Sequence, residues 1–195
     1  GELGLDGLPE PVPFAAHGPA ILIGSVGKTV WGGLRIGWIR ADRTIIQRLA
    51  RARMSGDLGT PLVEQLIVTN LLTDFDAILE ARRATLRTGR DRLVRMLGES
   101  LPDWQVPHAA GGLTVWANLG APVSSQLALA ARNEGLVIAA GPRFGVDGAF
   151  ERFIRIPFSY PAEETARAVA ALAAAWANVG RHPVAESAND FAGVV

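Results

Sequence analysis

The chain has 195 residues, sets 19 basic against 19 acidic side chains, and contains no cysteine. Zero net charge gives no global field that would draw it to nucleic acid or an acidic membrane, and the lack of cysteine excludes a disulfide framework and thiolate metal sites. With 49% apolar and 19% charged residues, it has the composition of a soluble, cytoplasmic globular protein long enough to bury a core.

The opening GELGLDGLPEPVPF has neither the basic nor the apolar region of a signal peptide, and no later run reaches membrane-spanning length. Gly1 in place of methionine, followed by a Gly/Pro-rich loop, suggests a chain cut from something longer. AILIG (20–24) predicts a short buried strand, and GLRIGWIRA (33–41) alternates as its partner. DRTIIQRLARARM (42–54) predicts a helix capped by Asp42 or Thr44. From Pro61 to Gly98, leucines and isoleucines at helical spacing predict one long helix, bent near Gly89. Its arginines, Arg82 to Arg95, are expected on a solvated face tempered by Glu80 and Asp91.

Further on, LTVWANL (113–119) reads as a strand, SSQLALAARNEGL (124–136) as a serine-capped helix and VIAA (137–140) as a short strand. FIRIPF (153–158) is a strand and PAEETARAVAALAAAWANVG (161–180) a helix, while 181–195 lacks periodicity and is expected to be a flexible tail. These elements divide into a strand pair from a larger sheet (1–55), a long connecting helix (56–98) and a compact α+β domain (99–180). The three histidines lack ligand spacing, so no metal site is indicated.

One position breaks the pattern of basic residues. Lys28, in GSVGKTVWGGLRIGW (24–38), is the single lysine, and the other 18 cationic side chains are arginines. A guanidinium cannot replace an amine that must condense with a carbonyl. GSVGKT also has the ending of a phosphate-cradling P-loop, but Leu22 occupies the first glycine position and Val-Trp-Gly-Gly follows where a helix should begin. A Schiff-base lysine is the other reading. There Ser25 would donate to a cofactor phosphate and Arg35 would supply charge and paired donors. Trp31, Trp38 and Trp116 are expected to pack, with Trp31 near enough to Lys28 to touch a cofactor.

The stretch GSVGKTVWGGLRIGWIRA resembles the lysine signature of fold-type I, pyridoxal-phosphate-dependent class I/II aminotransferases. Its Lys-to-Arg spacing and Trp-x-Gly-Leu-Arg-x-Gly-Trp wording are similar in particular to the aminotransferase-like domain of MocR-type regulators in the GntR superfamily. GGLTVWANL, GLVIAAGPRFG and FIRIPFSYPAEETARAVAALAAAW follow in that family's order. The resemblance covers about residues 5–178. It implies an α/β fold with an α+β small domain, the C-terminal part of a pyridoxal-phosphate-dependent transferase.

The resemblance further implies that Lys28 forms the Schiff base with pyridoxal 5'-phosphate, with Ser25 and Arg35 on its phosphate. Arg155, in FIRIPF, would pair with the α-carboxylate of an amino acid. A charge among Phe153, Ile154 and Ile156 in a buried strand would also call for an anionic partner. Arg143 and Arg152 are neighbouring alternatives. Gly27 stands where the family often has a second serine. The family's pyridinium-pairing Asp and its Tyr fall upstream of GELGLDG, as does the regulators' winged helix-turn-helix, so weak cofactor binding by this chain alone is expected. A homodimer is implied, with DNA contacted only through that upstream domain. Three functions remain open: a ligand-sensing regulator domain, a working amino-acid aminotransferase, and a folded or dimerising module without cofactor.

Overall fold

A computed structural model describes residues 3–7 and 12–179. The tail expected at 181–195 lies outside the described residues. The chain divides into two compact units, Gly1–Thr88 with Ala110–Leu113, and Gly89–Ala109 with Thr114–Val195.

In the first unit, β1 (Leu22–Ser25) and β2 (Gly37–Arg40) form an antiparallel pair in which Leu22 faces Arg40 and Ser25 faces Gly37. Gly24 lies opposite Trp38, and the indole covers it so closely that a Cβ there would sit 2.2 Å from the ring. Only glycine admits that approach. Helix α1 (Arg43–Arg53) begins at Asp42, whose carboxylate accepts from the Thr44 backbone N–H at 2.8 Å. The first of the two expected caps is therefore the one used.

The helix expected over 56–98 is two helices. Residues 54–61 contain Gly56, Gly59 at φ +114 and Pro61, and α2 (Leu62–Leu71) starts only after that proline. A 3-10 turn at Leu72–Asp74 then separates it from α3 (Phe75–Ser100). At that turn the Thr73 hydroxyl donates to the Asn70 carbonyl at 2.7 Å, a local bond that competes with the helical ladder. The helix α3 runs without a break through Gly89, which is a point of close approach. A Cβ there would come within 2.2 Å of the Phe158 carbonyl oxygen.

The arginines of α3 do not all lie on a solvated face: Arg95 does, but Arg87 and Arg90 do not. Arg87 donates through Nε to the Leu5 carbonyl and reaches Glu80. Arg90 is 5% exposed, bonds the Ala109 carbonyl at 2.8 Å and meets Asp91 at 2.8 Å. These side chains tie the N-terminal segment and the 109–112 loop to the helix, a use that sequence charge alone does not distinguish from solvation. Leu5 N–H donates to the Ala110 carbonyl, and Gly4 bridges Gly111.

The second unit is built on an antiparallel sheet of order β3-β5-β4: β3 (Thr114–Asn118), β4 (Ala139–Ala140) and β5 (Phe153–Pro157). Val115 and Ala117 pair with Ile156 and Ile154 in register, and all four are buried. That period of two places the opposite face, with Trp116, Phe153 and Arg155, away from the core. Helices α4 (Ser124–Asn133) and α5 (Ala162–Val179) add Leu127, Ala131, Val169, Leu172 and Ala175 to that core. Trp104 and Trp176 meet edge to face at 5.3 Å.

The start of α4 corrects the expected serine cap. Neither serine caps its own helix. Glu151 instead accepts from the Ser125 backbone N–H at 2.9 Å and from the Ser124 and Ser125 hydroxyls at 3.1 and 3.0 Å. A carboxylate at a helix N-terminus meets unpaired N–H donors and the positive end of the dipole.

Candidate functional site

The lysine turn is a hairpin loop held by apolar plugs. Beyond Ser25 the ladder continues with one more bond, from the Val26 N–H to the Ile36 carbonyl at 3.2 Å. Val26 and Leu34 then turn inward and bury against Val68 of α2, with Val30, Ile36 and Leu71 packed around them. Val30 N–H closes the turn on the Val26 carbonyl at 2.8 Å. Alternation of buried and polar positions thus leaves Lys28 outside while its flanks are fixed.

Ser25, Lys28 and Arg35 are all exposed and all belong to this hairpin. Arg35 lies two residues before Gly37, the strand partner of Ser25, so both of the expected phosphate-binding side chains flank the base of the lysine turn. Among the described residues, no side chain or backbone group pairs with the Lys28 amine. Arg35 is held at φ 53, ψ 28, the left-handed region, just after the 3-10 turn Gly32–Leu34. A non-glycine residue there carries a backbone cost of about 1–2 kcal/mol, and such costs gather at functional positions. The sequence gives no sign of this conformation, because Arg35 follows two glycines that would adopt it more readily.

The donor set suits an aldehyde cofactor with a phosphate handle: an exposed primary amine, a hydroxyl, and a guanidinium with paired N–H groups. Gly27 also has room for a Cβ. A Cβ there would lie 3.6 Å from the Gly32 Cα and 3.8 Å from the Ser25 hydroxyl, so packing does not require the glycine. Trp31 and Trp38 do not pack in a core. Both are exposed, each with its ring laid close over a glycine, Gly33 and Gly24.

Arg155 belongs to the second unit. The ground of burial for its anionic partner does not hold, because β5 buries Ile154 and Ile156 and turns Arg155 to the open face. It has no carboxylate partner among the described residues. Its Nε donates to the Thr114 hydroxyl at 3.3 Å, and its guanidinium carbon lies 5.3 Å from the centre of the Phe144 ring. These contacts orient the fork while leaving N–H groups for a ligand. Arg155, Thr114 and Phe144 line an open cavity of about 760 Å³ that also meets Tyr160 and Arg167. Of the neighbouring arginines, Arg152 bonds the Gly120 carbonyl at 2.6 Å, and Arg143 is exposed in the loop after β4. Sequence reasoning missed Thr114 and Phe144 as holders of Arg155. The pairing of alternate positions across β3 and β5 was the available signal.

Comparison with known proteins gives consistent matches. The family described as aminotransferase class I and II matches residues 3–172. The chain is 29% identical over 164 residues to the HTH-type transcriptional regulator NorG of Staphylococcus aureus, covering 82% of this chain and 36% of that protein. It is 31% identical over 160 residues to the uncharacterized HTH-type transcriptional regulator YisV of Bacillus subtilis, covering 78% of this chain and 32% of that protein. Among solved structures, LysN, the α-aminoadipate aminotransferase of Thermus thermophilus complexed with N-(5'-phosphopyridoxyl)-L-leucine, superposes with a TM-score of 0.77 at 26% identity. That superposition covers 86% of this chain and 44% of LysN. The chain therefore spans about a third of the length of the curated relatives it matches, and less than half of that structure.

Proposed function

Because this chain belongs to the aminotransferase class I and II family, we propose that it is the cofactor-lysine part of an aminotransferase-like effector domain in a GntR/MocR-type transcriptional regulator. Residues 1–55 would be what the chain holds of the large cofactor-binding domain, and 99–180 the small domain. The observation that carries the reading is the single lysine of the sequence, without a partner among the described residues, on a turn whose base holds an exposed serine and an arginine in a left-handed conformation.

When bound, pyridoxal phosphate would supply an aldehyde for covalent attachment and an electron-withdrawing ring. Lys28 would hold it through its amine and, freed by an incoming amino acid, stand ready to take a proton from that amino acid's Cα. Ser25 would donate its hydroxyl, and Arg35 two N–H groups, to the phosphate. Arg155 would pair with the α-carboxylate through its free edge. The protein would act as a homodimer, with DNA contact supplied by residues outside these 195. The relatives' names as HTH-type regulators support a sensing role. Likeness to LysN supports the second reading, a working amino-acid aminotransferase with the same residues in the same roles.

The test is a pyridoxal phosphate titration of this chain and of its Lys28→Ala and Arg35→Ala variants, followed by borohydride trapping. A saturable visible absorbance that is lost in Lys28→Ala and weakened in Arg35→Ala is expected. A signal indifferent to both substitutions contradicts the proposal. Amino-acid-dependent DNA binding by the protein that carries this chain, without turnover, separates the regulator from the transaminase.

A further inference from the structure

The net charge of zero conceals a local imbalance. Helix α1 carries four arginines and no acidic residue, whereas α3 sets four acidic residues among its six arginines. Arg43, Gln47 and Arg51 recur at spacings of four along α1, with Arg48 beside them, and all are exposed. Arg40, at the end of β2, is exposed three residues before the helix. Among the described residues, no carboxylate pairs with Arg40, Arg43, Arg48 or Arg51. The acids that flank α1 in sequence are already engaged: Asp42 accepts from the Thr44 backbone N–H, and Asp57 holds Arg53 at 2.9 Å.

A merely solvated face gains nothing from this arrangement. Arg48 and Arg51 stand one turn apart, where like charges repel, and Arg43 takes the first helical position, where the dipole favours an acid. By contrast, the exposed Arg95 of α3 has Glu99 within 3.8 Å. An anion laid across α1 would offset the repulsion, and guanidinium forks suit phosphate oxygens, which they bond in pairs. From Arg43 to Arg51 the helix rises about 12 Å, at about 1.5 Å per residue. One strand of duplex DNA places roughly three to four phosphates over that length. A lipid surface fits less well. The apolar side of α1 has no aromatic residue, and its Ile45 and Ile46 are half-buried in the fold, which leaves little to insert.

We propose that α1, together with Arg40, is a sequence-independent docking surface for the phosphate backbone of duplex DNA. The choice of DNA among polyanions rests on the reading of this chain as part of a transcriptional regulator. The upstream domain would select the sequence, and α1 would hold flanking backbone. These arginines belong to the unit that carries Lys28, and none of them is a residue of the cofactor handle.

The test is fluorescence anisotropy of a short labelled duplex of arbitrary sequence, titrated with the 195-residue chain over a range of salt concentrations. We expect saturable binding whose affinity falls with salt, with a log–log slope of about −3 for three to four phosphate contacts. Changing Arg48→Gln together with Arg51→Gln should weaken binding at low salt by about tenfold per arginine and reduce the slope by about half. Arg48→Lys with Arg51→Lys should keep the slope, because the charges remain. Arg95→Gln should change neither quantity. Binding that is absent at low salt, or indifferent to salt or to the paired glutamine substitutions, would overturn the proposal. Tighter binding to phosphatidylserine vesicles, single-stranded RNA or polyglutamate than to the duplex would overturn it too. Such a failure leaves the regulator reading standing if the protein that carries this chain still binds DNA in an amino-acid-dependent way, and the loss of both removes that reading as well.

Discussion

Among the described residues, the unit that carries Arg155 buries sixteen apolar side chains and leaves six large ones exposed, whereas the unit that carries Lys28 buries five and exposes fifteen. In the Arg155 unit, strand alternation and two helices close around one core, so Arg155 stands on a scaffold that supports itself. In the Lys28 unit, β1 and β2 expose Ile23, Trp38 and Ile39, and α2 exposes Leu62, Val63, Leu66 and Ile67. Only a small plug of Val26, Leu34 and Val68 fixes the lysine turn. A two-stranded sheet with so small a core is marginal by itself. The chain's single lysine thus sits on its thinnest packing.

Core truncation should expose this difference most strongly. Phe158→Ala, at a side chain 1% exposed in the Arg155 unit, should cost about 3–5 kcal/mol in urea denaturation. Leu66→Ala, at a side chain 57% exposed on α2, should change stability by no more than about 0.5 kcal/mol. Equal losses would break the comparison.

Next in size is the carboxylate at the start of α4. Glu151→Ala removes the acceptor for one backbone N–H and two hydroxyls, and should cost about 2 kcal/mol by thermal melting. Glu151→Gln should recover part of that.

Arg35→Gly sharpens the contrast, since it should move stability and chemistry in opposite directions. Relief of the left-handed backbone should stabilise the chain by about 1–2 kcal/mol, while pyridoxal phosphate labelling falls. A variant both less stable and equally labelled would remove Arg35 from the site. Gly27→Ser should leave the melting temperature almost unchanged, because a Cβ there meets only ordinary van der Waals contacts, and should raise cofactor labelling by adding a hydroxyl.

The smallest effect concerns acid. The Thr44 backbone N–H holds the Asp42 carboxyl below its usual range. A carboxyl lowered on folding contributes stability above its unfolded pKa and loses it as pH falls through the folded one. Protection of the first-turn amides of α1, taken relative to the unstructured exchange rate at the same pH, should therefore fall below about pH 4. Asp42→Asn, which keeps the acceptor oxygen, should flatten that dependence.

Legibility in the sequence followed the same division. Strict alternation in FIRIPF and LTVWANL located the two strands that frame Arg155, because one buried face enforces a period of two. It did not reveal which face Arg155 takes, and assigning the arginine to the buried side reversed the outcome. The lysine turn was found through composition, a lone amine among arginines, and through its family wording. Its three-dimensional support was less visible. The 3-10 turn at Leu72–Asp74 interrupts a helical pattern whose apolar spacing continues across it, so periodicity alone carried the helix too far. Glu151 was invisible as a helix cap because it lies 26 residues from the N–H it receives, and capping rules read only local neighbours.

The most direct test of the central claim compares borohydride-trapped phosphopyridoxyl labelling of Lys28 in the folded chain with that in the same chain unfolded in urea, read by peptide mass mapping. With a single lysine in the sequence, the site of labelling is unambiguous and the rate carries the information. If the hairpin is a cofactor handle, folded chain labels faster than unfolded chain, and Arg35→Ala erases the difference. Equal rates in the two states, unaffected by Arg35, would mark Lys28 as an ordinary exposed lysine and contradict the account.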